Sequence, residues 1–326
     1  MGGAGESLNL GHRAFINAAL TALNGAPGTG VPVPPAKRVH GPLGAARRWP
    51  VNDGQNGPGA SEPPAEQALS DPMFANLYLF RHVHSHRLLA GPLPCVSGTS
   101  YDGARYLLPL FALHEAPVDA LRERLAGHDC FYPLAQHQVE ALDAARFEST
   151  SARDDADYLY PAEHFRHYRG TALNKKRNLV TQLLRAHEVT VDAYAVACID
   201  DALTVLAGWM SAKAKASGEA DEAACTEALQ LAPTLGLQGF VHRVDGIPAG
   251  FVLAQPLRPG VWVMRFAKGL DRFKGIYQHM FQHFCLTMPG VQWLNFEQDM
   301  GVANFRRSKL SYQPSALIPK YRVRLR

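Results

Sequence analysis

The chain has 326 residues, 47% of them hydrophobic and 19% charged, enough apolar matter for a core in one large domain or two smaller ones. No apolar run approaches the roughly 18 residues of a membrane helix, and the N-terminus lacks the basic-then-apolar signature of a secretion signal. Five widely spaced cysteines without a C-x-x-C, in a chain of net charge +4, argue against a disulfide framework or a zinc motif; the expectation is a cytoplasmic protein.

Residues 1–68 are rich in Pro, Gly and polar side chains, as in "NGAPGTGVPVPPAKRVHGPLG", and read as a largely disordered tail. Within it "FINAALTAL" predicts a short helix over about 8–23, and Arg47-Arg48-Trp49 is a candidate contact point. Over 69–154, "FANLYLFRHVHSH" and "ARYLLPLFAL" read as strands or buried segments. They are followed by the helix "PVDALRERLAG", the strand "DCFYPLA" and the helix "QHQVEALDAARF", a small α/β pattern.

The pattern restarts at 155. "DYLYP" reads as a strand, "EHFRHYRGTALNKKRNLVTQLLRAH" as a basic helical region interrupted at Gly170, and "VDAYAVACIDDALTVLAGWMSAKAKA" as a long helix. "SGEADEAACTEALQLA" holds a further helix with an acidic start, which suits a helix N-terminus. "LQGFVHRVDGIPAGFVLAQPL" is a hairpin turning at Asp245-Gly246, and "GVWVMRFAK" is a third strand. A helix over about 275–287, the strand "VQWLNFE", the short helix "MGVANFRRSK" and the strand "ALIPKYRVRL" complete residues 155–326.

Two stretches are basic without any acid: six Lys or Arg from His164 to Arg185, and seven from Gly301 to Arg326. They suit an anion such as phosphate or nucleic acid, or simply solvated faces. Arg272, Lys274 and Gly275 sit at the mouth of the 275–287 helix, where unpaired backbone N–H groups and partial positive charge favour a phosphate. The spacing is similar to the [QR]-x-x-G-x-[GA] loop of GNAT acyltransferases, with Tyr277 where that loop carries a small residue. An ordinary helix start is the alternative.

The element order β-α-α-β-β-β-α-β-α-β of the second half is similar to the GNAT N-acyltransferase fold. The first half resembles a reduced version of the same pattern, although no internal sequence repeat is evident. The expected architecture is therefore α/β, with tandem GNAT-like halves over 69–154 and 155–326.

More specific are "DYLYPAEHFRHYRGTALNKKRN", "FAKGLDRFKGIYQHMFQHF" and "WLNFEQDMGVANFRRSKLSYQP". Asp157-Tyr158-Leu159-Tyr160, Gly170 with Lys176-Arg177-Asn178, and Lys268 come first, then Asn295, Glu297, Asp299 and Gly301. Arg306, Lys309, Ser311, Tyr312 and Pro314 follow in order. Over about 70–326 the chain resembles the DUF2156 family, similar to the C-terminal domain of phosphatidylglycerol lysyltransferases. The resemblance implies tandem GNAT folds and transfer of an aminoacyl group from aminoacyl-tRNA to an acceptor. The lipid synthases carry a membrane-embedded region ahead of this domain.

Acyl transfer needs a base, an oxyanion stabiliser and a means of holding the reactants together. Glu297 and Asp299 follow a strand where such folds open their cleft, and would lie on one side if the strand continued. One is a candidate base and the other a candidate holder of the donor's amino group; Asp299 is alternatively a helix cap and Glu297 an ion-pair partner. Arg306 and Lys309, three apart on a helix, suit phosphate or oxyanion binding, or a salt bridge to Glu297 or Asp299. Tyr312 is a candidate proton donor, or packed core. Lys268, Arg272, Lys274, Gly275, Lys176, Arg177 and Asn178 complete the candidate substrate and phosphate contacts.

His82, His84 and His86 alternate, and His279 and His283 are four apart, but Met280 stands where the zinc-protease motif needs Glu, so no metal is expected. The leading expectation is an aminoacyltransferase using aminoacyl-tRNA and a small-molecule or lipid acceptor. Alternatives are an N-acyltransferase using a coenzyme A thioester, and a non-catalytic RNA-binding or scaffold protein of the same fold.

Overall fold

Two seven-stranded sheets organise the molecule, and they share one wiring pattern. The computed structural model describes residues 5–24, 69–214 and 221–326. The strands in chain order are β1 (Glu6–Ser7), β2 (Arg87–Leu89), β3 (Cys95–Thr99), β4 (Arg105–Pro109), β5 (Cys130–Leu134), β6 (Phe147–Ser151) and β7 (Asp157–Pro161). They continue as β8 (Val189–Ala193), β9 (Gln238–Val244), β10 (Ile247–Arg258), β11 (Val261–Gly269), β12 (Trp293–Asn295), β13 (Ala316–Ile318) and β14 (Tyr321–Leu325).

The first sheet runs β1-β2-β3-β4-β5-β14-β6 and the second β8-β9-β10-β11-β12-β7-β13. Each is antiparallel except for one pair, β4 with β5 and β11 with β12, at the same place in the order. The last strand of the chain therefore fills in the first sheet the position that β7 fills in the second. The fold is a tandem GNAT-like α/β arrangement, and its duplication lies in this wiring rather than in repeated residues.

The helices are α1 (Arg13–Asn24), α2 (Phe74–Leu79), α3 (Val118–Leu125), α4 (Gln136–Glu140), α5 (Ala162–His167), α6 (Asn174–Ala186), α7 (Ile199–Ala212), α8 (Glu222–Leu235), α9 (Ile276–Thr287) and α10 (Ala303–Leu310). Apolar residues of α5, α6 and α9 cover one face of the second sheet. Its other face, through Phe251, Leu253 and Phe266, shares a core with α7, α8, α2, α1 and the strands β2 to β5. Burial of this shared apolar surface joins the two sheets.

Three expectations change. "FANLYL" is a helix, not a strand; five of its six residues are buried, and a run buried all round has no periodicity to separate the two. Val191–Ala193 of "VDAYA", expected at the head of the long helix, belong to the edge strand β8, and the helix starts only at Ile199. "ALIPKYRVRL" divides into β13 and β14, which join different sheets. Residues 5–24 pack Leu8, Ile16 and Leu20 into the shared core. Residues 25–68, with Arg47-Arg48-Trp49, lie outside the described residues.

Candidate active site

The parallel pairing of β11 with β12 lasts only from Val261↔Trp293 to Val263↔Asn295. Beyond it β11 stays with β10, while the chain after β12 stays with β7 through Phe296 N–H to Tyr158 O at 2.9 Å and Tyr158 N–H to Glu297 O at 3.2 Å. The two strands thus diverge into a wedge. At its root β11 carries a bulge: the register steps from Leu253↔Phe266 to Ala254↔Met264, leaving Arg265 as the extra residue. Bulges re-aim side chains next to functional sites.

Arg265, buried, is aimed at the first half. Its Nη1 donates to Glu297 Oε1 and, at 3.2 Å, to Asn76 Oδ1 on α2; its Nη2 donates to Ser70 O at 2.8 Å, and its Nε has no partner among the described residues. Glu297 has φ +58° and its N–H donates to Asn295 Oδ1 at 2.7 Å, so the strand is broken there. Burial raises the Glu297 carboxyl above its ordinary value, and Arg265 opposes this.

Below lies a buried charged floor. Asp157 accepts from Ser70 N–H and Asn295 Nδ2, both at 2.9 Å, and pairs with Lys320 Nζ at 2.8 Å. Lys320 also reaches Asp71 and, at 2.9 Å, Gln298 Oε1.

Beside this seam, between the two sheets, is a cavity of about 290 Å³ lined by residues including Asp71, Asn76, Tyr101, Tyr106, Gln298 and Met300. Gln298, next in the chain after Glu297, and Asn76, which Arg265 reaches, both line it, which ties the cavity to the wedge.

The expected site residues divide. Glu297 and Asp299 do not share a side, because the strand ends at Asn295 and positive φ at Glu297 and Met300 coils the chain. The Asp299 carboxylate is fully buried and accepts from Tyr158 OH at 2.5 Å, Arg306 Nε at 2.8 Å, Arg153 Nη1 at 3.1 Å and Gly301 N–H at 2.9 Å. These donors hold its pKa well below the ordinary range, although burial opposes them. It is an anchor for the turn, and Val302 rather than Asp299 caps α10.

Arg306 belongs to the same anchor, pairing also with Asp154. Lys309 Nζ donates to the carbonyls of Phe296, Glu297 and Gln298 at 2.6, 3.0 and 2.5 Å. It staples the turn that presents Glu297, and burial lowers its pKa to about 8. Tyr312 lies in an aromatic core with Phe165, Phe281 and Phe296; its oxygen accepts from Gln278 at 2.8 Å.

Away from the wedge, Lys268 pairs with Asp221 at 2.7 Å and lies over the Trp209 ring at 3.9 Å. At the loop, Arg272 and Lys274 are exposed. Gly275 has φ +98°, and a Cβ there would stand 2.3 Å from Leu179 O, so this glycine serves close packing of α9 on α6. Tyr277 folds its ring back onto Gly269, 3.3 Å from where a Cβ would be. On α6, Lys176 lies over the Tyr312 ring at 3.9 Å, Arg177 donates to Asn174 Oδ1 at 2.7 Å, and Asn178 is exposed.

Sequence reasoning missed Arg265, Asn76 and Lys320 as site residues. Arg265 had a signal, a lone charge inside the apolar run "VWVMRFA"; Asn76 and Lys320 had none. Among the described residues no helix is long and apolar enough to cross a membrane, and no group of three or more His, Cys, Asp or Glu is arranged to hold a metal.

A family model described as phosphatidylglycerol lysyltransferase, C-terminal, matches residues 64–324. Among solved structures, a conserved protein of unknown function from Bacteroides thetaiotaomicron is 19% identical, with TM-score 0.72 over 99% of both chains. The C-terminal DUF2156 domain of a putative lysylphosphatidylglycerol synthetase from Agrobacterium fabrum is 14% identical, with TM-score 0.57 over 79% of this chain and 88% of that one. L-PGS from Bacillus licheniformis is 12% identical, with TM-score 0.52 over 76% and 86%. No curated protein is similar enough to count as a match.

Proposed function

The chain belongs to the family of the phosphatidylglycerol lysyltransferase C-terminal domain, and from that premise we propose that it is an aminoacyltransferase. In this reading it moves an aminoacyl group from aminoacyl-tRNA to an amine- or hydroxyl-bearing acceptor, a small molecule or a lipid headgroup. The observation that carries it is Glu297: a carboxyl raised by burial, at the end of a splayed strand pair, beside a cavity shared by both halves.

The acceptor heteroatom attacks the ester carbonyl carbon and Glu297 takes its proton. The carbonyl oxygen becomes an oxyanion, for which the guanidinium of Arg265, paired with Glu297 in the wedge, supplies the positive charge. The intermediate collapses, the bond from carbonyl carbon to ribose oxygen breaks, and Glu297 returns the proton to the leaving hydroxyl. Lys309 and the Asp299 anchor act by fixing the turn that carries Glu297.

The tRNA donor is favoured over coenzyme A by Tyr277, whose ring lies against Gly269 at the junction where a pyrophosphate would approach the backbone. Exposed Lys175 and Arg177 on α6, with Arg272 and Lys274, supply cations for a phosphate backbone. The test is transfer of labelled amino acid from charged tRNA to an amine acceptor, with acyl-CoA as the competing donor. Transfer from tRNA that falls about 10²–10⁴-fold in Glu297→Gln is expected. Transfer from acyl-CoA alone, or full activity in Glu297→Gln, overturns the reading.

A further inference from the structure

The wall of the cavity contributed by the first half has a fixed hydrogen-bond polarity. His86, on the segment before β2, is buried; its Nδ1 is 2.8 Å from Leu77 O and its Nε2 is 2.7 Å from Tyr106 OH. A backbone carbonyl can only accept, so Nδ1 carries the proton. Burial lowers the pKa of this imidazole to about 4, so at neutral pH the ring is uncharged and Nε2 must accept. The Tyr106 proton is therefore committed to His86, and the phenol oxygen turns only lone pairs outward.

The arrangement is built in. Gly98 on β3 faces it, and a Cβ at that position would stand 2.6 Å from Tyr106 Cζ, 2.7 Å from its hydroxyl and 2.8 Å from His86 Cδ2. The Tyr132 ring packs edge-on against Tyr106, with centroids 5.4 Å apart. His84 lies on the same wall, with its Nδ1 2.7 Å from Thr99 O and its ring stacked on His86 with centroids 5.3 Å apart.

Carboxylates outnumber cations in the lining of the cavity. Four carboxylates, Asp71, Asp102, Asp154 and Asp155, line it against the single guanidinium of Arg322. Each of the four is ion-paired: Arg322 takes Asp102 and Asp155, and Lys320 and Arg306 reach Asp71 and Asp154 from outside the lining. A wall of acceptors with surplus negative charge and aromatic rings recognises a donor-rich cation.

We propose that Tyr106, oriented by His86, is a specificity-determining residue that accepts a hydrogen bond from a primary ammonium group of the ligand in this cavity. This rests on the reading that the cavity takes the aminoacyl group, and it names the first half as the source of selectivity for the amine. His86 is a positioning residue acting through Tyr106.

The experiment is calorimetric titration of the full chain with alaninamide and with lactamide, which differ only in ammonium against hydroxyl. The wild type is expected to prefer alaninamide. Tyr106→Phe is expected to reduce that preference about tenfold, the scale of one hydrogen bond to a charged group, with lactamide binding and the melting temperature unchanged. His86→Leu is expected to do the same. His86→Gln, whose amide can donate to Leu77 O and accept from Tyr106, is expected to restore the preference.

Equal affinity for the two probes, binding of neither, or an equal loss of both in Tyr106→Phe overturns the proposal. An ammonium preference in a protein that transfers nothing from charged tRNA removes the transferase reading and leaves this subsite standing. Transfer without the preference removes the subsite alone.

Discussion

Two carboxylates stand two residues apart after β12 and live in opposite surroundings. Asp299 is fully buried among Tyr158, Arg153, Arg306 and the Gly301 N–H, and its pKa is driven down. Glu297 is half-buried with one charged partner, Arg265, and its pKa is driven up. Burial raises both; the number of donors decides which way each goes. A saturated carboxylate is a structural anchor, whereas an undersatisfied one at a cavity edge is able to exchange a proton. Sequence spacing alone makes the two look equivalent.

The sharpest way to break this contrast is a pair of isosteric substitutions. Asp299→Asn removes the charge that two guanidinium groups enclose. Breaking a buried pair in this way costs about 3–5 kcal/mol, measurable by chemical denaturation, and activity should fall only as the fold loosens. Glu297→Gln strips the buried Arg265 of its carboxylate partner and should also cost a few kcal/mol, in about the same range, while transfer falls by the 10²–10⁴-fold expected of a lost general base even where the variant stays folded. An equal loss of transfer in the two variants, measured where both remain folded, would remove the distinction between anchor and base.

The same contrast explains what could be read before folding. The hairpin at Asp245-Gly246 was legible because left-handed φ of 51° and 77° at the two turn residues suits Asp-Gly. The helix after Gly275 and the strand "WLN" were legible from local pattern, and the GNAT-like order of the second half followed. The enclosure of Asp299 was not, since Arg153 and Tyr158 lie about 140 residues away in sequence. Nor was the crossing of the chain between sheets: only Pro319 and Lys320 separate β13 from β14, and nothing local marks that Tyr321 leaves one sheet for the other. Arg265 was visible as a charge but not as a bulge, because bulges are set by register with a partner strand.

A pH series sharpens the comparison with a smaller effect. In the proposed mechanism Glu297 must be ionised, and its pKa lies above the ordinary 4.5, so transfer should decline on acidification already above pH 4.5, about tenfold per unit below the midpoint. Asp299 has a depressed folded pKa; its stabilisation is present above the unfolded value of 3.8 and is lost only as pH falls below it toward the folded value.

A separate group drifts in between. His279 and His283 are lowered to about 4 by burial, and His242 lies well below 6.5 in contact with both. The unfolded chain binds protons to these rings first, so stability is full above pH 6.5 and falls toward pH 4 by roughly 3 kcal/mol for each ring. Circular dichroism alongside the rates separates the two: activity lost while the spectrum stays native belongs to Glu297, and coincident loss would deny it.

The smallest expected effect concerns the cations, where the same logic of saturation applies with opposite charge. Arg306, Lys309 and Lys320 are enclosed by acceptors and cannot leave them for a phosphate without exposing a buried partner. Exposed Lys175 on α6 and Arg272 and Lys274 at the α9 loop carry no such commitment to the fold. On the proposed reading that tRNA is the donor, single Ala substitutions at these three should weaken its binding only a few-fold, and each should reduce the slope of log affinity against log salt by about 0.7–0.9 if it touches a phosphate. Arg122, exposed on α3 and paired with Asp119, serves as a control whose removal should leave the slope unchanged. A slope altered at α6 but not at the loop would place the nucleic acid along the helix and leave Arg272 and Lys274 as solvated charges. The reverse result would restore the loop as an anion site despite Tyr277, and would weaken the argument that the coenzyme path is closed.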